Sequence, residues 1–502
     1  MRGGAEGTRA AERVFRLQEV VSRLEGDGLL ISSPAEDIEL TGIADDSRRV
    51  RPGDLFCAWV GTSADAHRFL PGARAAGAAA ALVERPVPEV DLPQVVVSDG
   101  RRAAAAAAMV AFRDPGASLL LAGVTGTNGK TTTVWLLRHL LAGVRPAASL
   151  GTLGVIGTDG KPVAGTESLT TPGPVDLART LRELVDGGVR AIAMEVSSHA
   201  LDQGRVSGLR FDAAVFTNLT RDHLDYHRTV EAYLEAKLSM TRLLRPGGVV
   251  VYNAEEPAWA PLAGVGERTL TFAIDAPADL RASDLDMGPG GARFTLETAS
   301  GSVRVELPLL GAFNVQNALA AAGAAYGLGM TLEDVAERLR TVPQVPGRLE
   351  RIADTPCPVL RDYAHTPDAL ERVLAALRPL VRGRLILVFG AGGDRDRGKR
   401  PLMGAVATRG ADLTIVTSDN PRTEDPDAII DDIAQGMTGS YLREVDRRRA
   451  IALALSEAKA DDVVLLACKG HETYQIVGTE RRPFDEREIV QALVASGGGV
   501  TA

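Results

Sequence analysis

Lys130 and Thr131 close a glycine-rich run, Gly123-Val124-Thr125-Gly126-Thr127-Asn128-Gly129, and in that setting their side chains could handle phosphate. Gly126 and Gly129 allow backbone N–H groups to converge on phosphate oxygens. Lys130 supplies a cation for the outer phosphates, and the Thr131 hydroxyl, at the head of a helix, can ligate Mg2+. The apolar residues 119–122 lead into the loop as a strand, and apolar positions 134, 137 and 141 make the following segment a helix. Strand, glycine-rich loop and helix are the context a P-loop requires. The spacing departs from the strict pattern: the residue five before Gly129 is Val124, and the nearest upstream glycine is Gly123. The loop predicts a nucleoside triphosphate but not the reaction.

Two polar clusters follow apolar strands: Glu195-Val196-Ser197-Ser198-His199, and Thr217-Asn218-Leu219-Thr220-Arg221-Asp222-His223-Leu224-Asp225-Tyr226-His227. In an open α/β sheet, ligands bind beyond the carboxyl ends of strands, where both clusters fall. Singly, each acid or histidine reads as a cap or a surface residue; together, beside a phosphate loop, they point to Mg2+ and phosphate. The C-terminal third offers three more strand ends. Residues 389–401 form a glycine-rich turn containing Arg395, Arg397, Lys399 and Arg400; residues 417–424 include Asp419, Asn420, Pro421 and Arg422; Lys469-Gly470-His471-Glu472 follows the last strand. Carboxylates, an amide and arginines in one crevice suit a zwitterion with more than one charged end.

The elements that must position these groups read as α/β with largely parallel sheets. Short apolar runs at 80–83, 95–97, 118–124, 191–196, 213–216, 249–252, 385–389, 413–416 and 463–466 alternate with longer Ala/Leu/Arg-rich segments. Pro and Gly interrupt the chain near 112–118 and again near 342–347, which divides it into 1–115, 116–345 and 346–502, with about the first 25 residues as a flexible tail. A net charge of -9 and a pI near 5.5 give no general attraction for nucleic acid or anionic lipid. Three scattered cysteines, Cys57, Cys357 and Cys468, suggest neither a disulfide framework nor a zinc site and fit a reducing compartment. No apolar run approaches the roughly 18 residues of a membrane span, so a soluble cytoplasmic protein is expected.

TGTNGKT, EVSSHALDQGRV, TNLTRDHLDYH followed by Glu235-Ala236-Lys237, and NVQNALAA from Asn314 occur in that order and resemble the central domain of the Mur ligases, itself similar to folylpolyglutamate synthase. The resemblance covers about residues 30 to 495, including the segment Asp362-Tyr363-Ala364-His365. It implies three domains: an N-terminal α/β substrate domain, a central P-loop ATPase-like parallel sheet and a C-terminal Rossmann-like domain. It also implies ATP-dependent, ADP-forming amide ligation in peptidoglycan synthesis: a substrate carboxylate is phosphorylated by ATP, an amine attacks the acyl phosphate, and the tetrahedral intermediate collapses to amide and phosphate. On this basis Lys130, Glu195, His223 and Lys237 form the catalytic set. Thr131 would serve one Mg2+, and Glu195 and His223 another. Lys237 would be carbamylated to help hold the second ion, since an ammonium has no lone pair and repels a cation. Without the resemblance, Lys237 reads as a solvated helix lysine, and Asn314 and Asn317, which resemble adenine-side contacts, read as two polar residues starting a helix.

DNPR at 419–422 resembles the signature of diaminopimelate-adding members. Arg422 would meet the distal carboxylate that lysine lacks, with Arg395, Asp419, Asn420, Pro421 and Glu472 completing the amino-acid site. Cys468 falls beside them, where relatives commonly carry glycine. The run Asp45-Asp46-Ser47-Arg48 resembles the segment that binds the uridine diphosphate end, through Ser47. Thr170, Thr171, Ser197, Gln203 and Arg205 look like the grip on the muramoyl dipeptide. The implied partners are UDP-N-acetylmuramoyl-L-alanyl-D-glutamate and meso-diaminopimelate, handled by a monomer with neither nucleic acid nor a membrane span. Competing readings are a ligase for lysine, D-Ala-D-Ala or folate glutamylation, a P-loop motor, and a non-catalytic nucleotide-sugar binder. DNPR and the Ser47 segment argue against the first, the lack of an acidic metal strand after the loop against the second, and intact Lys130, Glu195, His223 and Lys237 against the third.

Overall fold

The computed structural model describes residues 14–61, 64–166 and 169–496. The chain forms two compact units: the first runs to Leu280 and includes Leu319–Val335, and the second combines Arg281–Ala318 with the chain from Ala336 onward.

Among its described residues the first unit contains a two-stranded antiparallel pair, Phe15–Arg16 with Glu39–Leu40, and two larger sheets. One has the order Leu30–Ser32, Gln94–Val97, Ala80–Val83, Asp54–Ala58, Gly42–Ala44, parallel except for its first strand. Helix Gly100–Ala111 buries the whole alanine stretch 103–108, small side chains that let backbone elements approach closely. Helix Leu17–Gly26 buries Leu17, Val20, Val21 and Leu24. The expected flexible tail is therefore corrected for residues 17–26, whose apolar positions recur at helical spacing; residues 1–13 lie outside the described residues.

The other belongs to a ten-stranded sheet, whose seven strands within this unit have the order Gly154–Ile156, Ala147–Gly151, Ala191–Glu195, Leu120–Thr125, Phe211–Phe216, Leu244–Asn253, Arg268–Ala273. All pairs are parallel except that of the first two strands. After Leu120–Thr125 the chain works on one side of that strand, through Ala147–Gly151 and Ala191–Glu195, and then crosses to the other side with Phe211–Phe216. The phosphate loop thus leaves the sheet where the winding reverses, the place where such sheets open a crevice. The strands are buried on both faces, which explains their near-continuous apolar runs. Helix Lys130–Leu141 is buried almost all round, including Trp135, Leu136 and Leu140, and not only along the 134, 137, 141 stripe.

From Arg281 the second unit supplies the last strands of the ten-stranded sheet, an antiparallel meander of Leu280–Gly288, Gly291–Thr298 and Gly301–Leu307. It was absent from the strands expected above because these strands alternate buried and exposed positions and lack a continuous apolar run. The six-stranded sheet that follows has the order Glu350–Ala353, Val359–Asp362, Val463–Ala467, Leu385–Phe389, Leu413–Val416, Leu442–Arg443, parallel except for its first strand. Successive residues of strand Leu385–Phe389 enter different cores: Leu385, Leu387 and Phe389 pack with Leu370 and Met403, whereas Ile386 and Val388 pack with Ile451 and Val490. No helix among the described residues is long and apolar enough to cross a membrane.

Candidate active site

In the first unit, Gly126 has φ 147° and Gly129 φ 84°. These conformations suit glycine, and a Cβ at Gly126 would collide with the Thr217 hydroxyl. The loop is tied to the segment after strand Phe211–Phe216: Thr127 N donates to Asn218 O (2.8 Å), Asn128 N to Asn218 Oδ1 (2.9 Å), and Thr217 Oγ1 to Asn128 O (2.7 Å). Lys130 folds back on its own loop, with Nζ donating to Gly126 O (3.0 Å) and Thr127 O (2.8 Å). Thr131 lies in the first helical turn and is buried.

Lys237, from helix Val230–Leu238, is 1% exposed. Its Nζ donates to Gly126 O at 2.8 Å and lies 4.3 Å from the centre of the Tyr233 ring. Burial, and then the charge of Lys130, pushes its pKa well below the ordinary lysine value, with Asp222 opposing. The alternative of a solvated helix lysine is thereby overturned, because its apolar surroundings favour a neutral amine.

Glu195 ends its strand buried, with Oε1 accepting from Thr152 N (2.8 Å) and Oε2 from Thr152 Oγ1 (3.2 Å). A Cβ at Gly151 would collide with this carboxylate. His223 has φ 52° and places its N–H on Asp222 Oδ1 (2.8 Å). Burial lowers its pKa, Asp222 opposing in part, which favours the neutral imidazole with a lone pair. Its ring stands 4.8 Å from that of His199, which also meets Tyr226 (4.3 Å) and His227 (5.5 Å). Burial, and then His223 and His227, push His199 down to about 4. Among the described residues no three His, Cys, Asp or Glu side chains form a metal cage. Mg2+ commonly takes only one or two carboxylates, with water and substrate phosphates filling the rest, so the single buried carboxylate of Glu195 beside a phosphate loop fits that ion.

The dipeptide-site candidates lie in one network. Thr171 Oγ1 donates to Glu195 O (2.9 Å) and accepts from Ser197 N (3.1 Å), and Arg205 Nη1 donates to Thr171 O (2.8 Å). Arg205 Nη2 holds Gln203 Oε1 (2.6 Å), while Thr170 Oγ1 lies 3.2 Å from Thr152 Oγ1. Ser47 stands apart from this network in the short turn Ser47–Arg49, whose Arg49 grips Asp176 through two bonds of 3.0 and 2.9 Å.

In the second unit, Lys469 is fully buried and reaches Asn420 Oδ1 (3.1 Å), Asp419 Oδ1 (3.4 Å) and Glu472 Oε2 (3.4 Å). Asn420 Nδ2 donates to Glu472 Oε2 (2.8 Å). Three of the amino-acid candidates are therefore gathered around one ammonium. Arg422 joins through its loop, with Nη1 donating to Gly393 O (2.7 Å), and the Pro421 carbonyl packs against Gly393. Arg395 is exposed and donates to Asp394 O (3.2 Å). Cys468 has φ 86°, which accounts for a position where glycine is at ease. Its thiol is turned inward onto Gly390 O (3.1 Å) and Ala364 O (3.3 Å), so its side chain serves packing, and burial pushes its pKa up to about 12. Asn314 and Asn317 are buried near the start of helix Ala312–Gly327, where Asn317 Nδ2 donates to Asn314 Oδ1 (3.1 Å) and Asn314 Nδ2 to Leu310 O (2.8 Å).

Residues 124–325 match the family profile of the Mur ligase middle domain, and residues 347–470 that of the Mur ligase glutamate ligase domain. A curated protein of Gloeobacter violaceus, named UDP-N-acetylmuramoyl-L-alanyl-D-glutamate--2,6-diaminopimelate ligase, is 46% identical over 485 residues, which are 94% of this chain and 97% of the relative. The chain belongs to the Mur ligase family. A second Mur ligase of the same name, from Synechococcus elongatus, is 45% identical over 93% of this chain and 98% of its own. A solved structure bearing that name is 35% identical, covers 97% of this chain and 100% of its own, and has a TM-score of 0.70. The MurF structure from Acinetobacter baumannii, at 22% identity and a TM-score of 0.64, shares the fold.

In the first unit Thr152 and Tyr233 escaped the sequence reading; in the second, Lys469, Arg400 and Glu424 stood in the motifs it singled out but were given no partner there. Thr152 and Tyr233 carry no local signal, since their importance comes from what folds against them. Lys399 and Arg400 did carry one, because two cations at the start of helix Lys399–Gly410 oppose the helix dipole and must be satisfied elsewhere.

Proposed function

We propose that this protein is the ATP-dependent, ADP-forming ligase that joins meso-diaminopimelate to the D-glutamate side-chain carboxylate of UDP-N-acetylmuramoyl-L-alanyl-D-glutamate, a cytoplasmic step in peptidoglycan precursor synthesis carried out by a monomer. The observation that carries this reading is 46% identity, across nearly the full length of both chains, to a relative named for that reaction. Within it, residues 1–115 hold the UDP end, 116–345 the nucleotide and 346–502 the amino acid.

The γ-phosphoryl group passes from ATP to the carboxylate, releasing ADP. The amine of diaminopimelate then attacks the acyl carbon, and phosphate departs as the amide forms. Phosphoryl transfer asks a protein mainly for positioning and neutralisation of charge. Loop residues Gly126, Thr127, Asn128 and Gly129 would cradle the phosphates, Lys130 would swing from its loop carbonyls onto them, and Asn314 and Asn317 would face adenine. Ser47, Thr170, Thr171, Ser197, Gln203 and Arg205 would hold the UDP-linked dipeptide, and Arg395, Asp419, Asn420, Pro421, Arg422 and Glu472 the diaminopimelate, with Cys468 contributing at most its backbone. Thr131, Glu195 and His223 would hold Mg2+, which would neutralise the charge of the transferring phosphoryl group. Lys237 as an ammonium has no lone pair and repels a cation. The neutral amine favoured by its burial can add to carbon dioxide, however, and the resulting carbamate would be an anionic ligand.

Phosphate release with ATP, Mg2+ and the UDP-linked dipeptide tests this, comparing meso-diaminopimelate, L-lysine and no amine. Turnover that requires diaminopimelate supports the reading; turnover with lysine alone, or with no amine, refutes it.

A further inference from the structure

Arg400 is fully buried although it stands in the first turn of a helix. Its Nη1 donates to Glu424 Oε2 (2.9 Å) and Asp432 Oδ2 (2.8 Å), and its Nη2 to Glu424 Oε1 (2.8 Å) and Gly392 O (3.2 Å). Glu424 Oε1 also accepts from Asp394 N at 2.5 Å. Asp394 returns the tie through Thr423, accepting from its N (3.2 Å) and its Oγ1 (2.8 Å), while Gly393 N donates to Asn420 O (2.9 Å). The loops 390–397 and 418–424 are thus joined around one carboxylate.

This joint sets the Gly393 carbonyl, which takes Arg422 Nη1 at 2.7 Å. The Arg422 backbone, at φ 52°, is fixed separately: its N donates to Ile476 O (3.1 Å), and its carbonyl accepts from Gly478 N (2.7 Å). A Cβ at Gly392 would press to 3.0 Å from Arg422 Nη1, so the space beside the guanidinium is also set by this loop. With Nη1 taken by the Gly393 carbonyl, Nε and Nη2 remain for a ligand, and that edge of a guanidinium can form two parallel bonds to a carboxylate.

We propose that Glu424, gripped by the buried Arg400, is a positioning residue for amino-acid selection, setting the loop carbonyl that aims Arg422 at the distal carboxylate of the incoming substrate. The inference rests on reading the protein as a diaminopimelate-adding ligase. Glu424 touches no substrate; it acts through Gly393 and Arg422.

The test uses the full-length enzyme and compares kcat/KM for meso-diaminopimelate with that for L-lysine, which lacks the distal carboxylate. In Glu424→Gln the preference for diaminopimelate should fall by about tenfold or more, the scale of one charge-assisted hydrogen bond. The fall should come mainly through KM for diaminopimelate, with KM for ATP unchanged. Thr423→Val, at an exposed position, removes only the outermost tie and should shift the preference the same way by less; it carries the test if Glu424→Gln fails to fold. In an Arg422→Ala background, Glu424→Gln should cause no further loss of preference. Equal losses for both amines, or an unchanged preference in both variants, would overturn the proposal. Absence of diaminopimelate turnover in the wild-type enzyme would instead refute the reading on which it rests.

Discussion

Lys130 and Lys237 donate to the same oxygen, the carbonyl of Gly126, from 3.0 and 2.8 Å. Two ammonium groups so close repel, and it is Lys237, sealed from water, that is driven toward the neutral amine. Its folded pKa lies below the unfolded value, so the unfolded chain binds more protons over that interval and Lys237 makes stability rise with pH there. Lys237→Met should therefore raise Tm at neutral pH or leave it unchanged, while turnover falls by on the order of 100-fold or more. Thermal melts beside turnover assays check this. A Tm that drops together with activity would make Lys237 a structural residue.

Gly126→Ala should damage nucleotide binding specifically. The substitution forces a Cβ into the Thr217 hydroxyl at a backbone conformation that L residues avoid, a strain of about 1–3 kcal/mol. The loop can escape only by giving up its ties to Asn218. Calorimetric titration with Mg-ATP should show weakening of about tenfold, with the melting transition of the second unit unchanged.

Arg422→Ala should raise KM for diaminopimelate far more than KM for ATP. Loss of a charge-assisted bond to a carboxylate corresponds to about 1.5–3 kcal/mol, roughly a 10- to 100-fold change. Steady-state kinetics in which both KM values move equally would remove Arg422 from the amino-acid site.

Glu424 also leaves a mark on stability against pH. The bonds from Arg400 lower its pKa from 4.5 to about 2, outweighing the opposing effect of burial. A carboxylate whose folded pKa is depressed stabilises the fold above its unfolded pKa and loses that contribution as pH falls through the folded one. The Tm difference between wild type and Glu424→Gln should accordingly be largest above pH 4.5 and shrink toward pH 2. A difference that does not vary across this range would show that the ion pair contributes nothing beyond shape.

Several parallel strands were legible because burial on both faces writes them as apolar runs, and Ala80–Val83, Leu385–Phe389 and Leu413–Val416 match expectation residue for residue, whereas Asp54–Ala58, Ala147–Gly151 and Val359–Asp362 were missed because charged or small residues shorten their apolar runs. The meander over 280–307 was not legible, since half-exposed strands carry their signal in alternation. The phosphate loop was legible from Gly126 to Thr131 because glycine spacing is local. What Glu195 rests on was not, because Thr152 lies 43 residues away and meets it only through strand pairing. Likewise the motif placed Asp419, Asn420 and Glu472 at strand ends, but the ammonium that joins them became visible only when Lys469 was found turned inward. Spacing identifies which groups converge; which atoms of those groups are already occupied depends on packing.

The three cysteines are all buried, and burial raises each thiol: Cys57 well above its ordinary value, Cys357 to about 11 and Cys468 to about 12. Since the thiolate is the reactive species, maleimides and alkylating agents should leave the folded enzyme unmodified near neutral pH. The natural chain is thus already a silent background for site-directed labelling. A single cysteine introduced at an exposed position such as Leu402 would be the sole reactive handle, ready for a fluorophore or spin label without first removing any native residue.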